Sequence, residues 1–159
     1  MTAENSCLDV TEIESARTVV YPWHCDWMGH FATQHYMKIF DDAIGHLLGS
    51  IGYRFTDASQ TQCGWADVSH AIEYRHELVA GDLVVAYSGI ERVGTKSLGY
   101  FHRLVRATDP DTICARLRGV VVHFDLAQRR AIALPDALRS AASARLCKRP
   151  PEEGLGTDG

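Results

Sequence analysis

The chain predicts an α+β domain in which an antiparallel sheet wraps around one long central helix. Three features predict it. From about Thr33, the residues Tyr36, Phe40, Ile44, Leu47, Leu48 and Ile51 recur at the spacing that lines one helical face with apolar side chains. From Cys63 onward the pattern changes to alternation, broken by turn signals containing Gly and Asp, as successive strands require. Ahead of the helix, the β-branched and aromatic run RTVVYPW at 17–23 predicts a further strand. One helix against a sheet whose first strand precedes it is an α+β layer arrangement.

Taken in order, residues 1–15 carry few large apolar groups and predict a flexible N-terminal arm. Pro22 marks the end or an edge position of the strand at 17–23. A polar, glycine-bearing loop then runs into the helix, with Lys38, Asp42, His46 and Gly49 opposite its apolar face. Gly52 falls where the helical pattern stops, and 54–62 reads as a polar connector. Next, Val68, His70, Ile72, Tyr74 and Leu78 take one face of a strand, with Ser69, Glu73, Arg75 and Glu77 on the other. Gly81-Asp82, Gly94-Thr95 and Asp109-Pro110-Asp111 are turn signals separating strands at 83–91, 97–107 and 113–125. The expectation is a meander of four strands after the helix. Pro135 opens a short helix over 134–146. The predicted organisation is thus an arm (1–15), one folded domain (16–130), a helical extension (131–147) and a disordered tail (148–159).

Composition narrows the function. A chain of 159 residues, 46% hydrophobic and 23% charged, matches one soluble globular domain with a substantial core. Its net charge of −4 argues against general nucleic-acid binding, which needs a basic surface. No run of 18 apolar residues occurs, and the opening MTAENSCLDVTEIESA has no signal-peptide pattern. The expectation is a cytoplasmic protein that does not enter a membrane. The five cysteines (Cys7, Cys25, Cys63, Cys114, Cys147) include no C-x-x-C pair and are expected to stay reduced.

Chemistry concentrates ahead of the helix, where His24, Cys25, Asp26, His30 and His35 meet the unpaired N–H groups of a helix start. That combination suits reactions on a carbonyl. A cysteine nucleophile at Cys25, served by His24 or His30, competes with Asp26. Neighbours on an extended segment point to opposite faces, so the two do not share a pocket. The spacing of His24, Asp26, His30 and His35 matches no common zinc signature, and no metal is expected.

Asp26, Gly29 and His30 in D-x-x-G-H, followed by Tyr36, form one pattern; Tyr74, Leu78, Gly81 and Asp82 form a second; the turn from Gly94 to Ser97 a third. Together, over roughly 17–125, they resemble the hotdog-fold thioesterases related to 4-hydroxybenzoyl-CoA thioesterase. The resemblance implies hydrolysis of an acyl-CoA thioester without a cofactor. It implies Asp26 as nucleophile or as base for water, and a backbone amide at or near Thr33 holding the thioester oxygen. Many acyl-CoA members carry two asparagines where this chain has Ala32 and Thr33, which leaves the acyl group open.

Gly29, His30 and Tyr36 belong to the implied substrate site. Trp27 and Trp65, with Phe31 and Phe40, suit an aromatic or short acyl group, though Tyr36 and Phe40 fit core packing equally well. Five basic residues lie between Lys96 and Arg118 against two acidic ones. Lys96 and Arg103 are the candidates for the CoA phosphates, against an ordinary solvated strand face. The resemblance also implies a homodimer or homotetramer. Two other readings compete: a hotdog dehydratase or hydratase using His30-Phe31, and a non-catalytic acyl-CoA binding protein.

Overall fold

The computed structural model describes residues 11–147. The tail at 148–159 and most of the expected arm lie outside the described residues. The first strand, β1, spans Ile13–Val19, not 17–23, so it begins inside the expected arm. Two causes are visible. Pro22 starts a 3₁₀ turn over Pro22–His24, where its missing N–H costs nothing. Ser15 is buried, with its hydroxyl donating to the Ala86 carbonyl at 3.1 Å and lying 2.5 Å from Ser88 Oγ, so a polar residue is drawn into the sheet by satisfied hydrogen bonds.

Helix α1 covers Thr33–Ser50 and buries Tyr36, Ile39, Phe40, Ala43, Leu47 and Leu48, the face its spacing predicts. Fully burying a side chain such as Phe40 or Leu47 contributes on the order of 2 kcal/mol. Gly52, at φ +94°, takes a backbone conformation that favours glycine. The Tyr53 N–H then returns to the Leu48 carbonyl and closes the helix end. The connector after it contains a 3₁₀ turn, Phe55–Asp57, and a short helix α2, Ala58–Thr61.

The remaining strands are β2 (Cys63–Tyr74), β3 (Leu83–Val93), β4 (Ser97–Arg106), β5 (Asp109–Asp125) and β6 (Arg130–Ala131). The sheet order is β1-β3-β4-β5-β2, with β6 on the end of β5. The expected four-strand meander is therefore three strands, β3 to β5, because β2 crosses over to pair with β5, from Cys63↔Asp125 to Tyr74↔Ala115. Residues 75–82 are too long for a tight hairpin. They are tied instead to Cys114, whose carbonyl accepts from Arg75 and His76, and to Phe31, whose N–H donates to Leu78. Gly81 and Asp82 then hydrogen-bond to Val20, which delivers β3 beside β1.

The reversal expected at Asp109-Pro110-Asp111 lies instead at Ala107 and Thr108, with Arg106 facing Asp109. A two-residue connection is the short one that antiparallel strands favour. Helix α3, Asp136–Ala144, follows Pro135, inside the range the sequence predicts.

The core lies between α1 and the concave face of the sheet, where Val84, Ala86, Ile90, Leu98, Tyr100, Leu104, Leu117 and Val121 meet the helix. Among the described residues the outer edge of β2 has no strand partner. Among the described residues no helix is long and apolar enough to cross a membrane.

Candidate active site

The D-x-x-G-H spacing has a local cause. Asp26 Oδ1 accepts the Met28 N–H at 2.8 Å and the His30 N–H at 3.1 Å. The Asp26 N–H donates to the His30 carbonyl at 2.8 Å, and the Gly29 N–H to the Asp26 carbonyl at 3.0 Å. Reversing the chain this tightly requires a left-handed residue, supplied by Gly29 at φ +85°. Asp26 thus holds its own loop with one oxygen. Its other oxygen, Oδ2, takes no hydrogen bond among the described residues, and the side chain is half-buried.

From that turn the chain enters α1. Cys25 bridges to Phe31, and the Ala32 N–H donates to the His24 carbonyl at 2.9 Å. Ala32 is the cap residue and supplies no side-chain acceptor. The first amides of an 18-residue helix, Thr33 among them, are therefore uncapped a few residues from the Asp26 turn. Such amides carry partial positive charge and favour an anion. A carboxylate oxygen left open and a set of uncapped amides are the two parts that acyl transfer needs: one to attack or activate water, the other to hold an oxyanion.

The neighbouring side chains sort themselves around this pair. The Cys25 thiol turns back toward the Tyr21 carbonyl at 3.8 Å. His24 Nδ1 accepts the Tyr21 N–H at 3.3 Å, and its ring lies 4.6 Å from that of His35. Burial, and then His24, lower the pKa of His35. His30 pairs through Nε2 with Glu77 at 3.1 Å, a partner that the sequence reading did not name. Tyr36 is buried between Phe31 and Tyr74, and burial pushes its phenol up to about 12. Trp27 is 92% exposed.

Two of the predicted site residues fall elsewhere. Trp65 packs against Tyr53 and His123, at the opposite end of α1. Arg103 donates to Glu12 at 2.8 Å and stacks 4.2 Å over Tyr87, so its guanidinium is already engaged. Lys96 is exposed in the β3–β4 turn. On the convex face, a cavity of about 470 Å³ is lined by Ser69, Arg92, Gly99 and Arg118, and Arg118 pairs with Glu91 at 3.2 Å. Arg92 was not among the sequence candidates. Its signal was its place just before the Gly94 turn, at the edge of the basic segment.

Two polar clusters lie away from the loop. His70 Nε2 contacts Tyr100 OH at 3.0 Å and Asp67 Oδ1 at 3.3 Å. Tyr100 reaches across Gly119, where a Cβ would collide with its ring. Beneath Phe40, His102 is fully buried, with Nδ1 2.6 Å from Ser88 Oγ. Burial, and then His70, push it down to about 3, so it is neutral. Among the described residues no three His, Cys, Asp or Glu side chains converge as a metal site.

An antiparallel sheet curled around one long helix, with an acidic turn at that helix's start, defines a hotdog-fold protein. The chain belongs to the thioesterase-like superfamily, whose family model matches residues 20–142. Among similar solved structures is a hypothetical protein from Staphylococcus aureus in complex with CoA: TM-score 0.78, 18% identity, covering 89% of this chain and 88% of that one. A 1,4-dihydroxy-2-naphthoyl-CoA thioesterase from Synechocystis aligns at TM-score 0.71 and 17% identity over 82% and 95%. A gentisyl-coenzyme A thioesterase aligns at 0.70 and 19% over 80% and 98%. At these identities the likeness is one of fold. No curated protein sequence matches the chain significantly.

Proposed function

We propose that the protein is a thioesterase that hydrolyses an acyl-CoA, with an aromatic or short acyl group, to the carboxylic acid and CoA. The observation that carries this is the division of labour within Asp26: Oδ1 is held by two backbone N–H groups, and Oδ2 is left open among the described residues, in the turn that leads into the uncapped start of α1. Oδ2 is the atom that attacks the thioester carbon, or takes the proton from the water that does so. As the carbonyl oxygen becomes an oxyanion, an amide at or near Thr33 stabilises it, an effect of roughly 3–4 kcal/mol per donor. The C–S bond then breaks. With Asp26 as base, the proton it took from water passes to the CoA thiolate. With Asp26 as nucleophile, a water then cleaves the mixed anhydride, releasing the acid, restoring the carboxylate and giving a proton to the thiolate. Gly29 keeps the turn in shape, while His30, Tyr36 and Trp27 flank the acyl entrance.

Superfamily membership and the CoA bound by a structural relative support the carrier. The phosphates of CoA fit exposed Lys96 together with Arg92 and the convex-face cavity, since Arg103 is held by Glu12. The open edge of β2 supports a homodimer in which two sheets join, because an unpaired edge seeks a partner strand. Free thiols at Cys25, Cys63 and Cys114 support a reducing, cytoplasmic setting. The dehydratase reading is disfavoured because no proline follows His30-Phe31 between Ala32 and Tyr36; the His30–Glu77 pair by itself fits either reading.

The test is steady-state release of free thiol from a panel of aryl, short-chain and long-chain acyl-CoAs. Turnover of an aryl or short-chain member is expected. Saturable binding with no thiol release from any member would establish the non-catalytic binding protein instead.

A further inference from the structure

At the end of α1 remote from Asp26, the chain forms a second, half-open cavity of about 320 Å³, within the size range of small-molecule sites. The 18 residues of α1 separate the two places by roughly 27 Å at 1.5 Å per residue. Tyr53 and Arg54 follow α1 into its wall, Cys63 begins β2, His123 comes from β5, and Pro135 and Leu138 come from the start of α3. The thioesterase reading uses none of them for chemistry.

Independent features give this cavity the character of an anion site with apolar walls. The start of α3, a nine-residue helix, forms one wall, and its cap residue Pro135 makes no side-chain cap hydrogen bond. The first-turn amides therefore lack an internal acceptor; the exposed Asp136 shares that positive end but does not line the cavity. Arg54 lines it, and its guanidinium has no ion pair or hydrogen bond with any described residue.

His123 also lines it and is only 4% exposed. Its Nδ1 donates to the Ala133 carbonyl at 3.0 Å, so Nε2 is an acceptor without a partner among the described residues, suited to a donor group on a ligand rather than to its carboxylate. Behind the wall, the indole of Trp65 packs 5.4 Å from His123 and 6.0 Å from Tyr53, and its Nε1–H is buried with no acceptor among the described residues. A buried donor left unpaired is costly and uncommon. Finally, Gln62, between the lining residues Thr61 and Cys63, is held at φ +54°, a strained conformation of the kind that gathers at ligand sites.

We propose that this cavity is a second small-molecule site, which binds a compact aromatic carboxylic acid as its anion. The carboxylate faces Arg54 and the first amides of α3, and the ring lies against Tyr53 and Leu138. The inference does not rest on the hydrolytic reading, since binding is read directly, but the ligand class is the same as the acid such a reaction releases.

The test is titration of the ¹⁵N-labelled full chain with sodium benzoate, read at the indole N–H of Trp65, which is identified by its loss in Trp65→Phe. Benzamide, with the same ring and no charge, is the comparison. Benzoate is expected to move the Trp65 signal saturably and to bind about tenfold more tightly than benzamide, as a charge-assisted contact would give. Arg54→Ala, at an exposed position, is expected to weaken benzoate about tenfold by the same loss. Asp26→Asn is expected to leave binding unchanged. A Trp65 signal that never moves, an equal response to benzamide, or movement confined to the indoles of Trp23 and Trp27 would overturn the proposal.

Discussion

Asp26 and His30 hold each other through both backbone directions. The His30 N–H donates to the Asp26 carboxylate at 3.1 Å, and the Asp26 N–H donates to the His30 carbonyl at 2.8 Å. The catalytic candidate is thus part of the turn that presents it, and the turn depends on Gly29 at φ +85°. Gly29→Ala meets no atom within 4 Å, so its cost is backbone strain alone, about 1–2 kcal/mol. The expected outcome is a lower melting temperature together with reduced kcat. Gly29→Asn should lose less of both, since Asn tolerates this conformation better.

The buried His102 makes stability depend on pH in a defined window. Its folded pKa of about 3 lies far below the ordinary histidine value near 6.5. Between those values the unfolded chain binds a proton that the folded chain refuses, so stability falls as pH falls. It is fully present above about pH 6.5 and drops by about 2 kcal/mol between pH 7 and pH 5 from this residue alone. Urea unfolding at the two pH values checks it. In His102→Phe the pH 7 to pH 5 loss should shrink by that amount, whatever the variant's own stability.

How much of this was legible in the sequence differs by residue. The apolar face of α1 could be read because a 3.6-residue period is written within a few turns; Asp26 and Gly29 are singled out by the family resemblance, and the structure adds the local turn that joins them. The pairing of β2 with β5 could not, since alternation says that a strand forms and not which strand lies beside it. The same limit hid the Ser15–Ser88–His102 chain and the partner of Arg103. Glu12, 91 residues away in sequence, takes a cation that a charge count leaves free. Trp65 was grouped with Asp26 by its aromatic character, and only the fold sets the two at opposite ends of α1.

The cationic residues should separate by role. Lys96→Ala and Arg92→Ala together are expected to raise KM with little change in kcat, because contacts remote from the scissile bond are kept in ground and transition states alike. Added salt should mimic them. Arg103→Ala should instead lower stability, by breaking its partly buried pair with Glu12, and leave KM nearly unchanged. An unaltered KM in the Lys96, Arg92 double variant would put the carrier elsewhere.

The edge of β2 gives a prediction about assembly. Light scattering at micromolar concentration should return at least twice the 17.6 kDa chain mass. Replacing Val68, exposed and at the bulge of that edge strand, with Pro disturbs the strand as a pairing surface and should shift the distribution toward single chains. A single-chain mass for the parent protein would contradict the pairing of two sheets.

Asp26→Asn tests the assigned chemistry most directly, because asparagine keeps Oδ1 for the Met28 and His30 N–H groups and removes only the charge from the open oxygen. Turnover is to be measured on the acyl-CoA that the parent protein hydrolyses best, beside a thermal melt of each protein and with Cys25→Ser as the matched control. The expected result is a fall in kcat of about a hundredfold or more, a nearly unchanged melting temperature and an active Cys25→Ser. Near-normal turnover by a folded Asp26→Asn, or loss of turnover in Cys25→Ser, would contradict it.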